Sequence, residues 1–300
     1  MPTCWLGIDQ PSAALLPCNG DARLCDRPLD RVVLPATHNS MSNAAAGWRI
    51  PNQQVGILDQ LNAGVRGFLI DIYYAHTDAN GALVNDTVPT PASRLYLCHV
   101  ACSIGATPLV DALRQIRVWI RTHPRNVLMF INEDYTQPGD FAAQVRAAGL
   151  RRNIYGGRLG PHWPKLKKLI RHRRQIIMTS QGDTGPFRWY RNAYAGLLQE
   201  TPYNWNTPDL LTDPQKWPAS CQPLRGGTTG DLFLLNHWSP PVAPSPETSA
   251  VVNAADTIFG RANVCRFVRG RWPTIVAVDM FQSGGLFEAV RRLNAEIASG

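Results

Sequence analysis

Short apolar runs that stop abruptly on polar side chains recur along this chain. Residues 34–41 read L-P-A-T-H-N-S-M and stop on Thr37, His38 and Asn39; residues 65–72 read V-R-G-F-L-I-D-I and carry Asp71. The run L-Y-L-C at 95–98 is followed by His99, and V-L-M-F-I at 127–131 by Asn132 and Glu133. Continuous apolar runs of this length are the pattern of strands buried on both faces, with chemistry delivered at the C-terminal end. The polar residues stand at intervals of 71 − 38 = 33, 99 − 71 = 28 and 133 − 99 = 34. That spacing suits one strand plus one crossover helix.

Helical patterns fill the intervals. Val55, Leu58 and Leu61 share a face in 52–62, a helix that Gly64 should stop. Thr107 as N-cap and Pro108 at the first helical position precede the stripe Leu109, Leu113, Ile116 and Ile120, and Pro124 should end that helix. Asp140 is expected to cap a helix carrying Phe141, Val145 and Ala148, stopped by Gly149. Further strands fall at 175–180, near 195–200, and at 232–237 and 274–279; helices fall at 250–259 and along Leu286, Val290, Leu293 and Ile297. The polar, turn-rich stretch 75–93 reads as a loop or hairpin over the strand ends. Eight apolar strands interleaved with helices predict an α/β fold, a distorted (β/α)8 TIM-type barrel over 31–300, preceded by an arm at 1–30.

Composition agrees with one large core: 300 residues, 44% hydrophobic and 17% charged. No run approaches the ~20 apolar residues needed to span a bilayer, and the first ten residues lack the basic and apolar regions of a signal peptide. Net charge is +8. A basic surface suits phosphate-bearing or anionic-membrane partners, and it also simply maintains solubility. The densest run, K-L-K-K-L-I-R-H-R-R at 165–174, places Leu166, Leu169 and Ile170 at helical spacing, so it is read as the solvated face of an amphipathic helix or as a membrane-docking patch, not as a nucleic-acid site. A monomer is expected.

The seven cysteines point away from the cytosol. Cys18 and Cys25 bracket a short polar loop, Cys98 and Cys102 flank His99, and Cys221 and Cys265 lie in Pro/Gly-rich connections, leaving Cys4 over. Three disulfides are the favoured reading, with free structural thiols as the alternative and zinc last, because no C-x2-C pair occurs. The chain then reads as the mature form of a secreted or cell-envelope protein.

A single acid at a strand end is ordinarily a cap or an ion-pair partner. Two histidines, two acids and an asparagine all at C-terminal strand ends point instead to a shared site. Alternation along 65–72 puts Asp71, Leu69 and Gly67 on the inward side, with Ile70 and Ile72 facing the helices; Glu133 shares a side with Ile131.

The motifs L-P-A-T-H-N-S, Q-L-N-A-G-V-R-G-F-L-I-D, L-C-H and F-I-N-E-D-Y resemble those of the phosphatidylinositol-specific phospholipase C X-domain-like phosphodiesterases, in particular their exported, cysteine-containing, single-domain branch. The resemblance runs from about Cys18 to Phe281 and is looser in the second half. It implies cleavage of the glycerol-side phosphodiester of an inositol phospholipid, with His38 as general base, His99 as general acid and Asp279 orienting His38. Metal-independent relatives carry an arginine two residues after the strand-two aspartate, where this chain has Tyr73. Metal-dependent relatives bind calcium through four side chains; Asn39, Asp71 and Glu133 match three, and Leu69 occupies the fourth place. The resemblance therefore implies one Ca2+, with Mg2+ or no metal as alternatives. Arg66, at the opposite end of its strand, is read as structural. Trp48, Trp189, Trp205 and Trp238 lie in or beside expected loops and suit packing or a lipid interface. Arg188, His237 and Trp238 are candidate head-group contacts. Glycerophosphodiesterase or sphingomyelinase D-like chemistry remains an alternative, although Leu69 replaces the Glu of the Glu-x-Asp such enzymes use; a non-catalytic lipid- or glycan-binding barrel is the other.

Overall fold

The computed structural model describes residues 16–157, 163–239 and 244–299. Among the described residues eleven strands form one sheet: β1 (Leu34–Thr37), β2 (Gly67–Thr77), β3 (Leu83–Asp86), β4 (Arg94–Cys98), β5 (Ala106–Pro108), β6 (Leu128–Asp134), β7 (Ile176–Ser180), β8 (Tyr190–Asn192), β9 (Leu198–Glu200), β10 (Leu232–Asn236) and β11 (Ile275–Val278). Eight of them run parallel in the order β8-β7-β6-β2-β1-β11-β10-β9 and curl into a half-barrel. The two ends of this path, β8 and β9, are consecutive in sequence. They are linked by a tight connection in which Leu198 N–H donates to the Ala193 carbonyl at 2.7 Å.

Alternation sorts each strand into two faces. Leu34, Ala36, Leu69, Met129, Ile131 and Ala277 pack together inside the curl, whereas Phe68, Ile70, Ile72, Phe130, Val276 and Val278 pack outward in the core that holds the helix side chains. The inward assignment of Leu69 and Ile131 made from the sequence is the one found. Gly67 is required where β1 meets β2, because a Cβ there would lie 2.6 Å from the Ala36 methyl.

The outer layer consists of α1 (Ile57–Ala63), α2 (Leu109–Thr122), α3 (Pro138–Ala147), α4 (Leu166–Arg171), α5 (Pro208–Thr212), α6 (Trp217–Ser220), α7 (Pro246–Val252), α8 (Ala255–Arg269) and α9 (Leu286–Ser299). Gly64, at φ 117°, ends α1 as expected. Several boundaries differ from the sequence reading. Thr107 belongs to β5, and α2 begins at Leu109. Asp140 is not a cap: α3 begins at Pro138, and the Asp140 carboxylate accepts from the Tyr74 hydroxyl. The helix expected at 250–259 is two helices, α7 and α8, separated at Asn253, whose side chain donates to the Asp279 and Ser283 carbonyls.

The larger correction concerns 95–98. This segment, β4, is not a barrel strand but pairs antiparallel with the C-terminal extension of β2, as does β3. β2 runs on to Thr77, and the 28-residue interval between Asp71 and His99 holds a meander and no helix. The eighth parallel strand is β8, which the sequence reading did not contain. Its three residues are too few to show alternation.

The arm closes the N-terminal end of the barrel. Cys18, Leu24, Cys25 and Leu29 join the interior cluster, Asn19 binds the Val127 backbone in both directions, and Arg27 donates to the Asn294 carbonyl. Cys18–Cys25, Cys98–Cys102 and Cys221–Cys265 are disulfide-bonded, which are the three pairs the sequence suggested. Cys4 lies outside the described residues. Among those described, no helix is long and apolar enough to cross a membrane.

Candidate active site

The C-terminal ends of β1, β2, β6 and β11 surround an open pocket of about 420 Å3 whose lining includes His38, Asn39, Asn52, Asp71, His99, Glu133, Trp238 and Asp279. His38 follows β1 directly, and its backbone N–H donates to the Val278 carbonyl of β11 at 2.9 Å, which brings it beside Asp279. The next residue, Asn39, adopts φ 43°, a left-handed conformation that asparagine tolerates better than most side chains. The turn is tied down underneath: Ser40 N–H donates to the Leu69 carbonyl of β2, and the buried Gln60 amide of α1 donates to the Ser40 carbonyl.

Two imidazole–carboxylate pairs result. His38 Nδ1 is 3.0 Å from Asp279 Oδ1, and His99 Nδ1 is 3.0 Å from Asp71 Oδ2. In the neutral tautomer that donates from Nδ1, each ring turns Nε2 away from its carboxylate. The indole of Trp238 stacks on His38 with centroids 4.0 Å apart and planes 8° from parallel, so the ring is clamped on its face as well as its edge. His99 is held differently. It sits in the Cys98–Cys102 disulfide loop, where Val100 takes φ 62°, strained for a β-branched residue. The Asn85 side chain of β3 accepts from Cys102 N–H and donates to the Val100 carbonyl, closing that loop.

The amide of Asn52 joins the two pairs. Asn52 Nδ2 donates to Asp279 Oδ1 at 3.2 Å, and its Oδ1 accepts from Asn39 Nδ2 at 3.3 Å; Asn39 Nδ2 also lies 3.4 Å from His99 Nε2. Gln53 supports the same floor by donating to the His38 and Val278 carbonyls. Asn52 and Gln53 were not singled out from the sequence, because they fell within the helix expected at 52–62. That helix starts only at Ile57, and three consecutive amide side chains, Asn52–Gln54, were the available sign of a polar loop.

Burial and the neighbouring Glu133 charge push the Asp71 carboxyl up, against the pull of His99. Burial alone would lower His99, but its hydrogen bond to Asp71 and the charges of Asp71, Asp279 and Glu133 outweigh it, and the imidazole is held above its ordinary value. Tyr73 is pushed up to about 12 by burial and by Asp71, so it stands in the pocket as a neutral phenol and adds no negative charge to that of Asp71 and Glu133. It stacks on Tyr135, whose hydroxyl donates to Glu133.

Not every candidate is brought here. His237 is fully buried between the Val252 carbonyl and the Arg261 guanidinium, and burial followed by the Arg261 charge lowers it to about 3. It is a core histidine, and a head-group contact is ruled out by its lack of exposure. Arg188 precedes β8 at the N-terminal end of that parallel strand and lines a separate recess with Asp231. Arg66 is a half-buried structural arginine bonded to Asn126 and the Leu61 and Val65 carbonyls. Trp48 and Trp189 are packed inside; Trp205 is 55% exposed, near the pocket residues Tyr203 and Asn204. Those two had no signal in sequence, since they follow the short β9.

Curled parallel sheets with polar clusters at strand C-termini define TIM-type barrels, and the sequence match narrows the class. The model of the PI-PLC X 1 family matches residues 24–294, and the chain belongs to this family. It is 26% identical over 306 aligned residues to PI-PLC X domain-containing protein 1 of Arthroderma benhamiae, covering 95% of this chain and 91% of that protein. It is 24% identical to PI-PLC X domain-containing protein At5g67130 of Arabidopsis thaliana over 91% of this chain and 64% of the relative. Among solved structures, a pentafluoro-Phe-substituted phosphatidylinositol-specific phospholipase C from Staphylococcus aureus shares the fold with TM-score 0.59 at 13% identity, covering 90% of this chain and 93% of that one.

Proposed function

We propose that the protein is an exported phosphodiesterase that cleaves the glycerol-side phosphodiester of an inositol phospholipid. The observation that carries this reading is the pair of histidine–carboxylate couples across one pocket. His38 Nε2 takes the proton from the inositol 2-hydroxyl as that oxygen attacks phosphorus, and His99, protonated, gives a proton to the departing diacylglycerol oxygen, leaving a cyclic inositol phosphate. The raised His99 keeps its proton to higher pH than an ordinary imidazole, which suits an acid. Asp279 orients His38 and opposes the charge it gains. The three disulfides support maturation in an oxidising compartment.

The donor set also fits a hard divalent cation, and we propose Ca2+ held by Asn39, Asp71 and Glu133. Asp71 engages His99 through one carboxylate oxygen and Glu133 engages Tyr135 through one; the other oxygen of each has no hydrogen-bond partner among the described residues. Among the described residues no three His, Cys, Asp or Glu side chains gather closely enough to bind a metal alone; in this proposal Asn39 and water would complete the set, and Leu69 adds nothing. When bound, the ion would neutralise charge on the phosphoryl oxygens.

The test is the pair His38→Ala and His99→Ala assayed on phosphatidylinositol vesicles. Each should lose ~10²-fold or more in turnover. A substrate with a good leaving group should restore activity to the His99 variant only; equal rescue of both, or activity retained by either, refutes the assigned roles.

A further inference from the structure

The ten lysines and arginines of 141–182 are accompanied by no Asp or Glu, so this segment alone carries +10 and the rest of the chain sums to 8 − 10 = −2. The basic character of the protein is thus a local property. Folding concentrates it: Arg151, Lys168, His172 and Arg174 line one recess of about 430 Å3, floored by Leu169 and Pro164 and edged by Gly156 and Gly157. Lys165 and Lys167, on the same helical run, are paired with Asp26, but no carboxylate pairs with Arg151, Lys168 or Arg174 among the described residues.

The recess is also shaped. Arg151 is held by stacking over Trp189 at 5.2 Å, and a Cβ on Gly156 would stand 3.5 Å from its Nη2. Arg174 is anchored through the Arg152 carbonyl at 2.7 Å. Gathering like charges in one concavity costs energy that an anion would recover, and planar guanidiniums match phosphate oxygens in pairs. The volume is that of a small-molecule site.

Its location selects among anions. His172 and Arg174 lead directly into β7, and Ile154 bridges Ile176, the first residue of that strand, so the recess lies at the N-terminal end of the barrel. The active-site pocket is at the C-terminal end, about 17 Å of strand away. A membrane that presents substrate to the pocket cannot reach the recess at the same time. We propose that this recess binds a small soluble anion carrying two or more phosphate groups, as a site separate from the active site.

Isothermal titration of the full chain with inorganic pyrophosphate in ~0.15 M salt, where the Debye length is ~8 Å, tests this. One site should be seen, weakened at least tenfold by Lys168→Gln with Arg174→Gln, both at exposed positions, with vesicle hydrolysis unchanged. His38→Ala should bind pyrophosphate like the wild type. If the double variant fails to fold, Arg174→Gln alone should weaken binding about threefold. Unchanged affinity in the variants, or binding lost in His38→Ala, overturns the proposal. So does a double variant whose only loss is association with anionic phosphatidylserine vesicles, which would make the ligand a lipid surface.

Discussion

Asp279→Asn separates charge from hydrogen bonding at His38. Both contacts of the carboxylate, from His38 Nδ1 at 3.0 Å and Asn52 Nδ2 at 3.2 Å, converge on Oδ1. An asparagine carbonyl oxygen in that place can accept both, so the variant loses only the negative charge that faces the imidazolium formed when His38 takes its proton. Unit charges ~4 Å apart interact by about 4 kcal/mol at an effective dielectric of 20. The site opens to solvent, with 20% of the His38 side chain exposed, so about half of that is a fair expectation. At 1.36 kcal/mol per decade, ~2 kcal/mol predicts a fall of about 30-fold in kcat with little change in KM. Asp279→Ala also removes the oxygen that accepts both hydrogen bonds, frees the Asn52 amide and lets the ring rotate on Trp238; it should fall at least a further tenfold. The assay is initial rate against phosphatidylinositol in mixed micelles, with the thermal midpoint measured alongside. Equal losses in the two variants, or an Asp279→Asn rate within threefold of wild type, would refute an electrostatic role for this carboxylate.

Three further perturbations follow from the same geometry. Chelation should abolish activity and Ca2+ restore it, with Asp71→Asn raising the calcium concentration required; full activity in excess chelator would remove the metal from the proposal. Cys98→Ser should release the loop whose Val100 φ is unfavourable, lowering kcat more than KM as His99 loses its aim, and an unchanged kcat would mean that Asn85 alone holds the loop. His237, lowered to about 3 in the fold, is neutral when folded and protonated when unfolded between that value and its ordinary ~6.5. The unfolded state therefore binds one more proton, and stability should drop as pH falls through this window; a thermal-midpoint slope against pH that is unaltered by His237→Gln would refute this assignment.

Much of the site was legible because strand ends in a parallel barrel converge whatever their loops do. An apolar run ending in T-H-N, another ending in D-I, and V-A-V-D near the C-terminus are sufficient to place His38, Asp71 and Asp279 at one mouth, since parallel strands all point their C-termini the same way. Alternation then decides inward from outward, which is why Leu69 and Ile131 were assigned correctly. The cysteine pairs were readable from short separations for two of the three disulfides.

What the tertiary structure alone decided is how those polar groups pair and which of their neighbours reach them. Local pattern cannot distinguish an antiparallel meander strand from a barrel strand, so β4 carries the signature of a barrel strand without being one, and β8 is too short to carry a pattern. Resemblance implies a metal-binding role for Asp71, whereas its contact with His99 depends on where the meander off β2 returns, 28 residues later. Asn52 joins the two histidine pairs only because the segment before α1 is a non-helical, bending loop that passes Met280, whose N–H donates to the Asn52 carbonyl. His237 and Trp238 are adjacent in sequence yet opposite in fate: one is sealed against Arg261 in the core and the other stacks on His38. Successive residues after a strand point to opposite sides, and which side faces the pocket is set by packing against α7 and α8, at distances along the chain where no periodicity operates.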